Sequence, residues 1–356
     1  MRLRRLASPF ALGRSPQHRS ADTLLWAARG IVAGLIVLFA GLQAAGVRLS
    51  ITVQSVVYLV GMVALNLPHG GFEHANNLWR RPAAFVLRYL AFFFVGIGLF
   101  VGLLFWHPAV GLGLALTVAM VKGGHGGLHV LDAVGATEHL QSRIQRGLAA
   151  VVRGGAVMIV PMIAWPGMFL AISQYMVNIF EPGALGGVAA QVPTIRASLA
   201  AGYGTVVVLH LALGYLAGGR RASWGVDGLE TGLLIAYFAV VPVLVAVGLY
   251  FAAWYSLRQV ARAVATGDDA YATAGADGDA APLLAQLKTL GTFLGGSLAT
   301  FGLMAALYVG VPSPMGGAPF WPGLVAFYSI FVSIIALPHI VVGAWLDREH
   351  GIWYVP

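Results

Sequence analysis

The stretch AFVLRYLAFFFVGIGLFVGLLF at residues 84–105 decides the fold class of this chain. A helix of about 20 mostly apolar residues crosses the hydrocarbon core of a bilayer, and this stretch contains one charged residue, Arg88. Such a segment is typical of a transmembrane helix, because a helix satisfies its own backbone hydrogen bonds in lipid. The sequence therefore predicts that this part of the chain lies in a membrane.

The composition of the whole chain agrees with a membrane location. Of its 356 residues, 59% are hydrophobic and 10% are Asp, Glu, Lys or Arg, whereas a soluble protein carries about 25% charged residues. The net charge of +8 then indicates membrane topology rather than a polyanionic partner. This balance excludes soluble enzymes and nucleic-acid-binding proteins.

Hydropathy along the chain predicts an all-α, polytopic transmembrane helical bundle of about eight to ten spans, some of them short or broken. Pro242 lies inside one apolar segment, and we expect it to divide that segment into two short helices that turn back within the protein. This hairpin returns Arg258 and Arg262 to the cytoplasmic side. The apolar segments lie at 23–46, 51–67, 84–105, 108–121, 152–173, 197–217, 229–253, 291–311 and 322–345.

The same pattern predicts a simple domain organisation. A basic tail at 1–22 precedes a single membrane-embedded domain at 23–348, and a short tail follows at 349–356. A Gly-, Ala- and Asp-rich stretch near 266–284 is typical of a flexible loop. The arginines of the first tail place the N-terminus in the cytoplasm and the protein in the cell (inner) membrane.

Histidine is frequent in this chain, with ten residues, and cysteine is absent. Any bound metal must therefore use imidazole or oxygen ligands. His69 and His74 lie in LPHGGFEH, and His125 and His129 lie four residues apart in GGHGGLH, a spacing that places both imidazoles on one helix face. Histidines at membrane depth are site candidates by default, although a lone one equally fits a hydrogen bond between helices.

Two further features bear on a site. His210 and His339 each lie within an apolar segment, so they are additional candidate ligands. An aromatic-rich segment fits core packing or an interfacial belt, and alternatively the wall of a pocket for a long apolar ligand. Its candidate pocket residues are Tyr237, Phe238, Tyr250, Phe251 and Trp254.

Several motifs, in this order, resemble the Brp/Blh family of bacterial and archaeal β-carotene 15,15'-dioxygenases, which are integral membrane proteins. The resemblance covers about residues 60 to 348. The motifs are LPHGGFEHANN at 67–77, the His- and Gly-rich stretch at 123–132, RGGAVMIVPMIAWP at 153–166, YFAVVPVLVAVGLYFAAWYSLRQ at 237–259 and ALPHIVVGAWLDR at 336–348.

The resemblance implies a ferrous ion held by four histidines, of which two fall on His69 and His125. At the other two family positions this chain has Tyr255 and Gln259. Oxygen from these two side chains is one replacement, and nitrogen from another histidine is the alternative. The histidines open to that role are His74, His129, His210 and His339.

The implied function is an iron-dependent oxygenase that cleaves β-carotene centrally with molecular oxygen and gives two molecules of retinal. Membrane lipid surrounds such an enzyme, and a microbial rhodopsin is the expected recipient of the retinal. The alternative is a non-catalytic relative that binds or delivers a carotenoid or retinal, because Tyr255 and Gln259 replace two ligands. A proton-coupled transporter and a bis-histidine haem protein also fit the composition.

Overall fold

The regular structure of this protein is helical, as the hydropathy pattern predicts. The structure, a computed structural model, describes residues 16–66, 82–218, 222–266 and 300–350, together with Gly295 and Leu298. No strand occurs within these ranges. Most of the loop predicted near 266–284, most of the basic tail, residues 351–356, His69 and His74 lie outside them.

Twelve α-helices are assigned within these ranges. A π-helix, Val60–Asn66, continues the α-helix Ile51–Leu59, and a second, Phe251–Ser256, joins Val243–Tyr250 to Leu257–Thr266. The helices are α1 (Pro16–Ala44), α2 (Ile51–Leu59), α3 (Ala83–Trp106), α4 (Pro108–Ala133), α5 (Arg143–Ala164), α6 (Pro166–Asn178), α7 (Val192–Gly218), α8 (Ala222–Val240), α9 (Val243–Tyr250), α10 (Leu257–Thr266), α11 (Thr300–Gly310) and α12 (Phe320–His350).

Six helical segments of the described chain are long and apolar enough to cross a membrane. Two shorter apolar helices, Ile51–Val63 and Thr300–Gly310, accompany them. The helical membrane architecture is therefore confirmed, while the larger number of eight to ten spans stays a prediction. The six segments are Arg19–Ala44, Ala83–Trp106, Arg143–Ala164, Ala189–Ala217, Val243–Arg262 and Phe320–Pro338.

Proline sets several of the helix boundaries. The apolar segment 152–173, predicted as one span, is divided between α5 and α6, because Pro166 begins a new helix after Trp165. Proline lacks a backbone N–H and is therefore favoured in the first turn of a helix. The single-span prediction for this segment is wrong for that reason.

The break predicted at Pro242 is confirmed, although the arm that follows, Val243–Arg262, is long enough to cross a membrane rather than short. Helix α8 ends at Val240, and α9 begins at Val243 on the other side of the proline. The Tyr237 hydroxyl donates a hydrogen bond of 2.9 Å to the carbonyl oxygen of Ala246 across the turn. The α9–α10 arm therefore runs back along α8.

Helices α4 and α5 cross with their backbones in close approach at two glycines. A Cβ added to Gly124 would lie 2.0 Å from the carbonyl oxygen of Ala150, and one added to Gly154 would lie 2.0 Å from that of Met120. Small residues at such crossings let membrane helices pack closely. This crossing fixes the position of the His125 turn relative to α5.

Replacing Gly124 with alanine should destabilise the protein, because the new methyl group overlaps the Ala150 carbonyl oxygen. Overpacking of this kind costs about 1–3 kcal/mol. Gly113→Ala is the matched control on the same helix, since a Cβ at Gly113 meets nothing within 4 Å, and alanine is the better helix former. Thermal unfolding in detergent should show a lower midpoint for Gly124→Ala alone. Equal midpoints for both variants would contradict the close crossing.

The largest apolar core lies where α1, α5, α8 and α9 meet. Tyr237, Phe238 and Val241 are fully buried there, together with Ala28 of α1 and Ala156 of α5. Helix α1 also packs along α10. This core holds the α8–α9 hairpin rigidly, and the hairpin carries the polar residues described next.

Candidate active site

The turn of α4 that carries His125 lies against the helix that carries Tyr255 and Gln259. A Cβ added to Gly126 would be 3.4 Å from Cε2 of Tyr255 and 3.6 Å from Nε2 of Gln259. Glycine at this position therefore leaves room for both side chains. The fold thus places Tyr255 and Gln259 beside Gly126, the chain neighbour of His125, although about 130 residues separate them in the sequence. The His125 side chain itself is exposed.

The imidazole of His125 is oriented by its own helix. Its Nδ1 lies 3.0 Å from the carbonyl oxygen of Val121, and because a carbonyl oxygen only accepts, Nδ1 carries the proton. Nε2 then presents a lone pair. This arrangement is the usual one for a metal-binding histidine, whose second ring nitrogen donates to a carbonyl or carboxylate.

The described chain that precedes His69 ends next to this site. The π-helix Val60–Asn66 packs against the π-helix Phe251–Ser256, and Tyr255 belongs to the latter. Asn66 is three residues before His69. Single π-helical turns within α-helices frequently occur at functional sites, and here two of them lie in contact.

The remaining candidate ligands are placed in different surroundings. His129 lies on α4, one turn beyond His125, and interacts electrostatically with Arg262 and Asp132. His339 lies on α12, and its side chain is outside the described residues. His210 lies on α7 and is buried in an ion network described below. Within the described ranges, no group of three His, Asp or Glu residues has a metal-binding arrangement.

Asp132, the acidic neighbour of His129, pairs with an arginine. Asp132 accepts hydrogen bonds of 3.0 and 2.5 Å from the two terminal nitrogens of Arg146. This bidentate pair occupies both carboxylate oxygens and joins the end of α4 to the start of α5. Asp132 therefore has a structural role at this contact.

The aromatic candidates divide into two groups. Tyr250 and Trp254 line a small pocket next to the His125 turn, and the Phe251 ring lies 5.8 Å from that of Tyr255. Tyr237 and Phe238 are 0% exposed within the core, so they act as packing residues in the described fold. The pocket is lined by Gly126, Gly127, Val130, Tyr250, Trp254, Tyr255, Arg258 and Gln259.

Two acidic residues on α8, Asp227 and Glu230, form the centre of a buried ion network that the sequence did not predict. They lie three residues apart, on one face of the helix, and are 1% and 0% exposed. Arg153 of α5 bridges them, with hydrogen bonds of 2.5 Å to Asp227 and 3.0 Å to Glu230. The sequence signal that could have revealed this network is the pair of acidic residues, three apart, next to an apolar segment. Ionisable residues at membrane depth usually have a function.

Two more arginines reach Glu230 from separate helices. Arg29 of α1 donates to its Oε1 at 2.7 Å, and Arg258 of α10 donates to the same oxygen at 2.5 Å. The guanidinium of Arg258 also lies over the Trp254 ring, 4.6 Å from its centroid, a favourable cation–π geometry. Glu230 therefore holds Arg258 in the protein interior, and the cytoplasmic side predicted for this residue stays a prediction.

Two buried histidines complete the network at Asp227. Nε2 of His139 and Nε2 of His210 each lie 2.9 Å from Oδ2 of Asp227. His210 is therefore held by a carboxylate on α8, and the described contacts place no side chain of the His125 turn beside it. Carboxylate partners commonly fix the orientation of an imidazole, and here they join α7 to α8.

The network and the pocket meet at Arg258, which lines the pocket. Arg153 does not line it, but its Cδ lies 3.4 Å from the position of a Cβ on Gly127, which does. Glu230 thus anchors one pocket residue directly, and Asp227 and Glu230 together hold Arg153 against another. Geometry, burial and charge all single out this region as the candidate active site.

Comparison with known proteins places these observations in a family. The family model described as Beta-carotene 15,15'-dioxygenase matches residues 60–347. The chain belongs to the β-carotene 15,15'-dioxygenase family. The match includes every residue described above for the pocket and the network except Arg29.

The relatives of this β-carotene 15,15'-dioxygenase family member cover nearly its full length. A "Probable beta-carotene 15,15'-dioxygenase Brp" of Halobacterium salinarum (strain ATCC 29341 / DSM 671 / R1) is 52% identical over 343 residues, which cover 95% of this chain and 96% of the relative. A "Probable beta-carotene 15,15'-dioxygenase Blh" of strain ATCC 700922 / JCM 11081 / NRC-1 is 28% identical and covers 97% of this chain and 99% of its own. No solved structure matches the chain.

Proposed function

We propose that this chain is a membrane-embedded oxygenase that cleaves β-carotene at its central 15,15' double bond with molecular oxygen and gives two molecules of retinal. The observation that carries the proposal is the 52% identity, over 95% of the chain, to a relative named as a probable β-carotene 15,15'-dioxygenase. The family model supports it over residues 60–347. The enzyme reading therefore outweighs the non-catalytic carotenoid binder.

The cofactor in this proposal is Fe²⁺. His125 offers an oriented imidazole nitrogen, and Tyr255 and Gln259 offer a phenol and an amide oxygen on the adjoining helix. Imidazole and oxygen donors suit non-haem iron, so these residues fit the metal, with His69 as a second imidazole. Iron bound there would activate molecular oxygen toward the polyene.

The chain's own contribution is to bind and centre the substrate. β-Carotene is a hydrocarbon dissolved in the bilayer, so a site among membrane helices needs no aqueous route. Tyr250 and Trp254 place aromatic side chains next to the His125 turn, and the close α4–α5 crossing keeps that turn in a fixed position. Fixed geometry of this kind selects one bond of a long polyene for reaction.

A second, apolar cavity of about 210 Å³ suits the same class of ligand. It lies between α3, α11 and α12, and hydrocarbon side chains such as Val101, Leu307 and Phe331 line it. An apolar cavity of about 150 Å³ is large enough to bind benzene. We assign this cavity to an apolar ring or acyl chain.

The proposal also places the protein in the cell membrane, with its N-terminus in the cytoplasm and eight to ten spans. The six apolar helical segments support a membrane location. In the bilayer, retinal released from the site has direct access to a microbial rhodopsin as its recipient.

Expression in a host that accumulates β-carotene tests the function. We expect the orange colour to fade and retinal to appear by chromatography, because the substrate is already dissolved in the host membrane. A host that carries His125→Ala at equal expression is the control and should stay orange. Unchanged pigment with well-expressed wild-type protein would overturn the proposal and favour a carotenoid binder.

A further inference from the structure

One nitrogen of the buried Arg258 has no hydrogen-bond partner among the described residues. Arg258 is 1% exposed, and its Nη1 donates to Glu230, whereas Nη2 contacts no acceptor in this part of the chain. An unpaired buried donor is unfavourable, and more so when the group is charged. Because it is unfavourable to leave Nη2 of Arg258 buried without an acceptor, we expect a ligand to supply that acceptor.

Arg258 belongs to the wall of the pocket beside the His125 turn. The pocket also contains Tyr255 and Gln259 and has a volume of about 10 Å³. This is room for one water-sized group. The pocket therefore suits a single oxygen atom at the end of a larger molecule, rather than a whole ring.

The charge of the surrounding network favours an oxygen with negative character. Three guanidiniums, those of Arg29, Arg153 and Arg258, meet only two carboxylates, those of Asp227 and Glu230. Neutral histidines at Asp227 leave this excess of positive charge unchanged, and protonated ones increase it. In a low-dielectric interior such an excess attracts an acceptor strongly.

We propose that Arg258 is a product-binding residue, whose Nη2 donates a hydrogen bond to the aldehyde oxygen of retinal while Glu230 holds the guanidinium in place. This inference rests on the proposed function, since it takes its ligand from that reaction. The aldehyde is the one polar group of the product, and it forms at the carbon nearest the candidate metal ligands. The stacking of the guanidinium on Trp254 fixes the direction of the donor.

Binding of product analogues to purified protein tests this role without turnover. Retinoate carries a carboxylate in place of the aldehyde, and retinol carries a hydroxyl. Quenching of tryptophan fluorescence reports binding, because Trp254 lies against Arg258. We expect the wild-type protein to bind retinoate at least about tenfold more tightly than retinol, since hydrogen bonds to charged groups are the strong ones.

Two variants of Arg258 should remove that preference. Arg258→Met loses the donor, and Arg258→Lys keeps the positive charge beside Glu230 but has too compact a head group to reach the pocket as well. The lysine variant keeps the test informative if the methionine variant does not fold. Arg146→Met is the matched control, because Arg146 pairs with Asp132 away from the pocket, and it should keep the wild-type preference.

The outcomes separate this inference from the proposed function. A retinoate preference that persists in both Arg258 variants, or its absence from the wild-type protein, overturns the role of Arg258 and indicates that water occupies the pocket. Retinal formation in the pigmented host together with either of these results leaves the oxygenase function standing. A preference that depends on Arg258 without any cleavage of β-carotene contradicts the oxygenase function instead.

Discussion

Replacing Glu230 with glutamine should destabilise the folded protein more than a change at any carboxylate near its surface. The substitution keeps the shape of the side chain but removes the charge that Arg29, Arg153 and Arg258 share. Asp227 alone then faces three buried guanidiniums. Removing one partner of a buried ion pair costs about 3–5 kcal/mol, because the other charge is left uncompensated.

Thermal unfolding of purified protein in detergent measures this effect. Asp132→Asn is the matched control, since Asp132 also pairs with an arginine, but its side chain is 22% exposed and that of Arg146 is 38% exposed. A pair of this kind contributes about 0–1 kcal/mol. Similar unfolding midpoints for Glu230→Gln and Asp132→Asn would show that the network does not hold the α1, α5, α8 and α10 helices together.

His69→Ala and His125→Ala should each remove iron from the protein and abolish retinal formation. The reason for His125 is its geometry, in which the Val121 carbonyl oxygen orients Nδ1 and leaves Nε2 for a metal. For His69 the reason is its position in the family motif, together with the contact between the preceding π-helix, Val60–Asn66, and the π-helix that contains Tyr255. Loss of a ligand should exceed the 10–100-fold effect that removal of a ligand's hydrogen-bond partner has on metal affinity.

Elemental analysis of purified protein, with retinal formation measured in parallel, checks this prediction. His107→Ala is the control, because His107 lies between α3 and α4 and stacks near Trp106 rather than in the site. It should keep wild-type iron content. Full metal occupancy in both the His69 and the His125 variants would mean that the metal lies elsewhere.

Much of the fold could be predicted from local sequence patterns. The span at 84–105 differs from α3 by one residue at each end. A run with Arg88 as its one charged residue satisfies its backbone hydrogen bonds in lipid by forming a helix. The break at Pro242 was predictable from the missing N–H of proline. The break at Pro166 follows from the same chemistry, but the apolar run on both sides of it concealed the boundary.

The candidate site was predictable only in part. Histidine spacing and family motifs pointed to His125, Tyr255 and Gln259, and the fold brings their positions together. Asp227 and Glu230 were missed because their partners are Arg29, Arg153 and Arg258, which lie 201, 77 and 28 residues from Glu230. Such pairings depend on how the helices pack, so they cannot be predicted from the positions of charged residues along the chain.

The burial of Arg258 was missed for the same reason. The positive-inside rule assigns Lys and Arg residues between spans to the cytoplasm, and Arg258 follows the hairpin in the position where that rule applies. Its pairing with Glu230 and its contact with Trp254 keep it buried.

The central claim is that this chain divides β-carotene into two retinals, and product counting in the pigmented host tests it most directly. The account predicts that retinal is the sole cleavage product and that two molecules appear for each β-carotene lost. Unchanged β-carotene in cells that contain well-folded protein, or aldehydes of unequal length in place of retinal, would contradict it.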